Sequence, residues 1–287
     1  MKILIIGGSR FVGPVLVNQL LEKNHDVTVF NRGVIATSYP TAVKFVQGDR
    51  SKGFDITEHF DTVIDMCAYN GLDTQAALNE LSFDHFVHFG TVATYKKSEV
   101  FPFTEESEQG YVPVAGEYSR GKLECEKVLA NSSVKHAVIR PDYIIGPNNY
   151  LDRENFIYQR IHVGKEIVLP GNGQAMCQFV FVDEVAAIIR MITERQLTGA
   201  YNCAGDEFIT LKGVVELMGE IVGKKPKISY NPAADGEHHN RDEFPFANDN
   251  LITSNQKLKD LGFKFIPLAT GLRRDYQKHY KALLSNI

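Results

Sequence analysis

Tyr118 and Lys122 stand four residues apart in the run Tyr118-Ser-Arg-Gly-Lys122, and on a helix that spacing puts both side chains on one face. An ammonium beneath a phenol stabilises the ionised form. Free tyrosine has a pKa of about 10, too high for a base at neutral pH, and a neighbouring cation is one way to lower it. Alone the pair is a weak signal, because many such matches are plain surface positions. Upstream, Phe86-Val-His-Phe-Gly-Thr91 reads as a buried strand ending at Gly90-Thr91. That would put the Thr91 hydroxyl at the carboxyl edge of a sheet, where ligands of α/β folds bind. Thr91, Tyr118 and Lys122 form the candidate catalytic set.

The opening run supplies the frame for such a set. Lys2 to Ile6 is short, apolar and β-branched, Gly7-Gly8 ends it, and Phe11, Val15, Leu16, Gln19 and Leu20 take up helical spacing. Strand, tight turn and helix in that order make a phosphate cradle, and Gly7 and Gly13 fit its first and last glycine roles. Arg10 stands where a further glycine is expected. The second strand, Val27-Thr-Val-Phe30, runs into Asn31-Arg32, so the acid that would accept from a ribose 2′-hydroxyl is missing. Two guanidinium groups suit a 2′-phosphate, which predicts NADP over NAD. The alternative is that Arg10 caps the loop facing solvent and Arg32 pairs with Asp26 or Asp49.

The remaining sequence repeats the alternation. Strands are expected near 2–6, 26–30, 43–46, 62–66, 85–89 and 136–140, with helical stretches between most of them, a pattern that makes a doubly wound parallel sheet of the α/β (Rossmann) class. After Gly146-Pro147 the rhythm loosens, with turns at Leu169-Pro-Gly-Asn-Gly173 and Tyr230-Asn-Pro-Ala-Ala-Asp-Gly236. Residues 1–165 read as the dinucleotide-binding domain and 205–287 as a smaller, interleaved substrate lobe. Phe179-Val-Phe-Val182 and Ala200-Tyr-Asn-Cys203 are expected to return as strands within 178–204.

Composition sets outer bounds. With 287 residues, 44% hydrophobic and 23% charged, the chain can bury a proper core. The apolar N-terminal stretch is too short for a signal segment or membrane span, so a cytoplasmic location and no membrane partner are expected. Four scattered cysteines without a Cys-x-x-Cys pair point to free thiols. A net charge of −4 disfavours a whole-surface attraction to RNA.

Taken in order, these motifs resemble an extended or atypical short-chain dehydrogenase/reductase of the NAD-dependent epimerase/dehydratase family. The likeness rests on Gly7 to Gly13, Gly48-Asp49, Cys67-Ala68, Thr91 with Tyr95, Tyr118 and Lys122, Arg140-Pro141 with Gly146-Pro147, Pro170-Gly-Asn-Gly173, Gln178-Phe-Val-Phe-Val-Asp183 and Tyr201-Asn-Cys-Ala-Gly205. It implies that Thr91 hydrogen-bonds the reacting oxygen, Tyr118 transfers its proton, and Lys122 holds the nicotinamide ribose and tunes Tyr118. It further implies cofactor contacts from Gly7, Ser9, Arg10, Phe11, Val12 and Gly13, from Asn31 and Arg32, and from Asp49 and Arg50. Cys67, Ala68, Tyr69, Pro141, Tyr143 and Ile144 complete that set. A homodimer through the helices near 75–81 and 114–130 is implied as well.

The loop spelling Gly-Gly-Ser-Arg-Phe-Val-Gly is most similar to the branch containing chloroplast stem-loop RNA-binding proteins. Two departures bear on substrate. Where the family's sugar-nucleotide epimerases hold a diphosphate with an asparagine and an arginine, this chain has Tyr143 and Cys177, and a buried diphosphate without its cation is costly. Val92-Ala93 after Thr91 replaces the Asp-Glu of the dehydratases, which excludes a 4,6-dehydratase. His238-His239-Asn240-Arg241-Asp242 reads as an exposed polar loop, and as a lid over the substrate in the alternative, with no metal expected. Asp183-Glu184 reads as a helix-entry capping pair. Lys224-Lys225-Pro226-Lys227 and Arg273-Arg274 read as solvated faces. The leading expectation is an oxidoreductase or epimerase-type enzyme on a small, sugar-like substrate. The alternative is an NADP-binding RNA-binding or regulatory protein with a vestigial site.

Overall fold

A computed structural model describes residues 1–234 and 240–285. Strand β1 (Lys2–Ile6) leads through the glycine turn into helix α1 (Val12–Glu22), followed by β2 (Asp26–Asn31) and β3 (Lys44–Gln47). Then come β4 (His59–Asp65), α2 (Gly71–Glu80), β5 (Ser82–Phe89), α3 (Gly116–Ala130) and β6 (His136–Pro141). Together with a later strand these build a seven-stranded sheet whose neighbours all run parallel. The chain winds outward from β1 through β2 to β3, then restarts on the other side of β1 with β4, β5 and β6. The crevice between β1 and β4 is the switch point at which such sheets bind ligands.

The alternation in β1 shows why both faces are covered. Ile3 and Ile5 face a core shared with Val12, Leu16 and Leu20 of α1, whereas Leu4 and Ile6 face a second core with Ala77 of α2 and Leu129 of α3. A strand buried on both sides is continuously apolar, as Lys2–Ile6 nearly is.

Beyond β6 lie β7 (Tyr143–Ile145), α4 (Arg153–Val163), β8 (Ile167–Pro170), β9 (Met176–Phe181), α5 (Val182–Glu194) and β10 (Gly199–Cys203). The last elements used below are β11 (Phe208–Thr210), α6 (Leu211–Val222), β12 (Ile228–Asn231), α7 (Gln256–Asp260) and α8 (Leu268–Asp275). Strand β10 joins the large sheet beside β6. The segment expected as a strand over 179–182 is β9, and it pairs with β7 and β11 in a separate small sheet, while Val182 already opens α5. Helix α5 packs on α1 in the first core. Helix α4, which precedes residue 165, packs with α6 and α8 in a third core around Tyr158, Phe179 and Phe181.

Glu184 accepts from the Phe181 amide at 3.0 Å, as a helix-entry residue should. Asp183 instead forms a two-point ion pair with Arg274 at 2.7 and 3.0 Å, so Arg274 is not a solvated face but a tie between α5 and α8.

Between β6 and β7 the buried Asp142 accepts from the Tyr143 amide at 2.7 Å and from the Thr253 hydroxyl at 3.0 Å. Burial pushes its carboxyl up to about 7. Unfolded, the same group loses its proton near pH 4 or so. Between those values the folded chain holds the extra proton, so this contribution to stability is complete at low pH and disappears as pH rises to about 7. Asp142→Asn keeps the contacts by reversing the Thr253 hydroxyl. It should flatten thermal stability between pH 5 and 7, removing up to about 1.4 kcal/mol per pH unit of slope. An unchanged slope in melts of the variant would show Asp142 to be ionised in the fold.

Candidate active site

The carboxyl ends of β1, β4 and β5 bring the candidate residues together. Gly7 and Gly8 have φ of +92° and +72°, which bend the chain away from β1, and a Cβ on Gly13 would stand 2.2 Å from the Gly8 carbonyl oxygen. Phe11, at the N-cap of α1, offers no side-chain acceptor, so the amides of that first turn have no side-chain cap. A glycine cradle under an uncapped helix start fits a pyrophosphate. Cys67 presses on the same turn, 3.1 Å from a Cβ built on Gly7, and Ala68 beside it is fully buried.

The loop is braced by residues that sequence reasoning missed. Tyr39 donates its hydroxyl to the Gly8 carbonyl at 3.0 Å and Thr37 donates to that of Ser9 at 2.9 Å, while Asn31 donates to the Gly7 carbonyl at 3.2 Å. Thr37 and Tyr39 lie in a stretch without periodicity, which gave no signal that it folds back over the glycine turn.

The two arginines at the heart of the cofactor expectation part company. The Arg10 guanidinium lies 5.4 Å over the ring of Tyr150, which also meets Phe11 edge-on at 6.4 Å. Arg32 is exposed and, among the described residues, forms no ion pair with Asp26 or Asp49. The hydroxyl and amide of Ser51 hold the Asp49 carboxyl below its usual range, with a smaller contribution from the Arg32 charge. Arg50 turns inward: it grips the fully buried Asp65 with two bonds of 3.0 and 2.9 Å and donates to the Asp73 carbonyl. A carboxylate at that depth needs a paired cation.

At the end of β5, Thr91 caps the turn Val92–Thr94 by accepting from the Ala93 amide at 3.1 Å. Helix α3 brings the Tyr118 phenol near enough to the Thr91 hydroxyl for that hydroxyl to act on it. Lys122 is buried, donates to the Phe89 carbonyl at 2.6 Å, and stands 5.3 Å from the Tyr69 ring and 6.0 Å from that of Tyr118. The set expected from sequence therefore meets in space, but its electrostatics differ. Tyr118 is 44% exposed as a residue, yet protein packed around its hydroxyl raises its pKa. The Thr91 hydroxyl and the charges of Arg153 and Arg241 act the other way. Burial likewise lowers the pKa of Lys122. Helical spacing reports which face two residues share, not what desolvation costs them.

Tyr143, expected on the cofactor, lies against Phe246 and Phe179 with ring centroids 5.0 and 6.2 Å away, and burial pushes its phenol up to about 12. Ile144 offers its carbonyl to Arg153, and Pro141 closes β6 beside Cys203. Cys177 is fully buried. His238 and His239 fall outside the described residues, and among those described no cluster of potential metal ligands occurs. No described helix is long and apolar enough to cross a membrane.

The fold is that of the Rossmann class, and it gathers a hydroxyl, a phenol and an ammonium at the carboxyl end of β5. The chain belongs to the NAD dependent epimerase/dehydratase family, whose sequence profile matches residues 3–77 and 71–204. It is 30% identical to the chloroplast stem-loop binding protein of 41 kDa b of Arabidopsis thaliana over 96% of this chain and 78% of that one. A UDP-glucose 4-epimerase of Corynebacterium glutamicum is 22% identical over 95% of this chain and 93% of its own. Among solved structures, UDP-glucose 4-epimerase of Thermotoga maritima with UDP-glucose superposes with a TM-score of 0.79 at 18% identity, covering 99% and 100% of the two chains. The UDP-glucuronic acid 4-epimerase of Bacillus cereus in complex with NAD gives 0.79 at 17%, with 99% and 100% covered.

Proposed function

We propose that the protein is an NAD(P)-dependent oxidoreductase of the epimerase or reductase type, acting on a hydroxyl or carbonyl of a small, sugar-like substrate. The observation that carries this reading is the approach of the Tyr118 phenol to the Thr91 hydroxyl at the carboxyl end of β5, two strands from the β1 that ends in the glycine turn. Thr91 and Tyr118 together bind the reacting oxygen, and Tyr118 exchanges its proton with it. A phenol whose pKa is raised by burial stays protonated at neutral pH, which suits it to donate to a developing alkoxide. In the opposite direction the same group must first lose that proton, so oxidation should be favoured at higher pH. Lys122, fixed on the Phe89 carbonyl, stands where it can hold the cofactor's ribose. A bound nicotinamide accepts or returns the hydride.

Arg32 and Arg10 support NADP as the cofactor, although NAD accompanies several structural neighbours. A charge-assisted bond to a 2′-phosphate is worth about 1.5–3 kcal/mol, or roughly 10- to 150-fold in affinity. Calorimetry should therefore give NADP at least about tenfold tighter than NAD, and Arg32→Ala should erase that ratio. Equal affinities in the unaltered chain would overturn the NADP assignment. Enzymatic function is tested by mixing the loaded protein with sugars and sugar derivatives and following reduced nicotinamide at its absorption band.

The stem-loop binding of the Arabidopsis relative favours a second reading, an RNA-binding protein whose hydroxyl pair is vestigial. A gel shift repeated across salt separates the two, since phosphate contacts weaken steeply as salt rises.

A further inference from the structure

Arg153 is the first residue of α4 and sits beside the reaction site without being part of the expected set. One of its terminal nitrogens donates to the Ile144 carbonyl at 3.1 Å, and its guanidinium lies 5.0 Å over the Tyr143 ring and 6.0 Å from that of Phe246. Among the described residues no carboxylate comes within ion-pair distance of it. The two acids that act on it from farther off are both occupied. Glu154 accepts from the Gly146 amide and from Asn149, and Asp142 from Tyr143 and Thr253. Burial pushes both carboxyls up to about 7, so neither is a full counter-charge at neutral pH.

A second cation faces the same place. Arg241 lies close enough to oppose the Arg153 charge, and both favour ionisation of the Tyr118 phenol. A guanidinium withdrawn from water, opposed by another cation and, among the described residues, paired with no acid is costly unless an anion joins it. Its planar fork has five donor hydrogens, of which the Ile144 carbonyl engages one nitrogen. The Tyr143 ring holds the fork's face, leaving its edges for oxygens.

We propose that Arg153 is the receptor for an oxyanion on the substrate: a carboxylate or phosphate monoester carried by the same small molecule whose hydroxyl or carbonyl reaches Thr91 and Tyr118. The inference rests on the reading of Thr91 and Tyr118 as the reaction site. It narrows the substrate class to sugar acids or sugar phosphates, and it makes Arg153 the residue that sets substrate specificity.

The test is calorimetry on the full chain loaded with whichever of NADP and NAD binds tighter, using gluconate, glucose 6-phosphate and uncharged glucose as probes. One of the two anions should bind at least about tenfold tighter than glucose, the factor expected of a charge-assisted contact. A tighter gluconate assigns the carboxylate, and a tighter glucose 6-phosphate the phosphate. Arg153→Met should abolish the advantage while leaving cofactor affinity unchanged. Arg153→Gln, which keeps a donor for the Ile144 carbonyl, should lose it equally and serves if the methionine variant does not fold. Arg153→Lys should recover part of it. Anion binding that survives folded Arg153→Gln, or no anion preference in the unaltered chain, would overturn the proposal. Binding through Arg153 with neither reduction of the cofactor nor a change of configuration in the recovered sugar would uphold the oxyanion site and remove only the assigned reaction.

Discussion

Tyr118→Phe should lower cofactor reduction by about 10²- to 10⁴-fold, the range in which a positioned proton donor or acceptor contributes, while cofactor affinity stays near that of the unaltered protein. The substitution deletes one oxygen and keeps the ring, so the packing of the phenyl group beside Lys122, whose ammonium lies 6.0 Å from its centroid, is preserved. What is lost is the phenolic proton that faces the Thr91 hydroxyl. The loss should fall on kcat rather than on KM, because the interaction matters most as charge develops on the reacting oxygen. The pH profile is the sharper readout. In the oxidative direction the unaltered rate should climb towards alkaline pH as the buried phenol ionises, and the variant's residual rate should lose that limb. Full turnover with the alkaline limb intact would mean that the proton travels elsewhere.

The Rossmann sheet was legible because its strands obey a local rule. Lys2–Ile6, Asp26–Asn31 and Ser82–Phe89 each contain a short, largely apolar buried stretch closed by turn residues, and a parallel strand covered on both faces has that composition whatever surrounds it. The same rule fails for β9. Phe179, Val180 and Phe181 are as buried as any strand of the large sheet, yet they pair with β7, while Met176 to Gln178 of the same strand pair with β11. Burial on both faces says nothing about which neighbour supplies the hydrogen bonds. In the site, Thr91, Tyr118 and Lys122 could be found from strand-end position and helical spacing. The charges that act on Tyr118 could not, since Arg153 and Arg241 lie 35 and 123 residues further along the chain. Arg50 shows the converse. The family resemblance implied a cofactor contact at Arg50, but the buried Asp65 claims its fork, and that demand appears only once β4 is in the sheet.

Gly121→Ala should be nearly as damaging to turnover as the loss of the phenol, although residue 121 carries no chemistry. A Cβ there would stand 1.8 Å from the Tyr69 carbonyl oxygen, a backbone atom that no rotamer change can move aside. Helix α3 is held against that loop by further contacts, including the Cys125 thiol donating to the Asn70 carbonyl at 3.1 Å, so it cannot retreat locally without cost. Overpacking of this kind costs about 1–3 kcal/mol of stability. The catalytic effect is larger because Gly121 lies between Tyr118 and Lys122, and any displacement of α3 shifts both from Thr91 and Phe89. A misplacement of about 1 Å is enough to cost roughly 10²-fold in rate. The variant should therefore show a lowered melting temperature together with a loss of kcat much greater than the stability change alone would give at assay temperature. A folded variant with unaltered kcat would show that the close approach of α3 to the Tyr69 carbonyl is not what sets the register of the phenol and the ammonium.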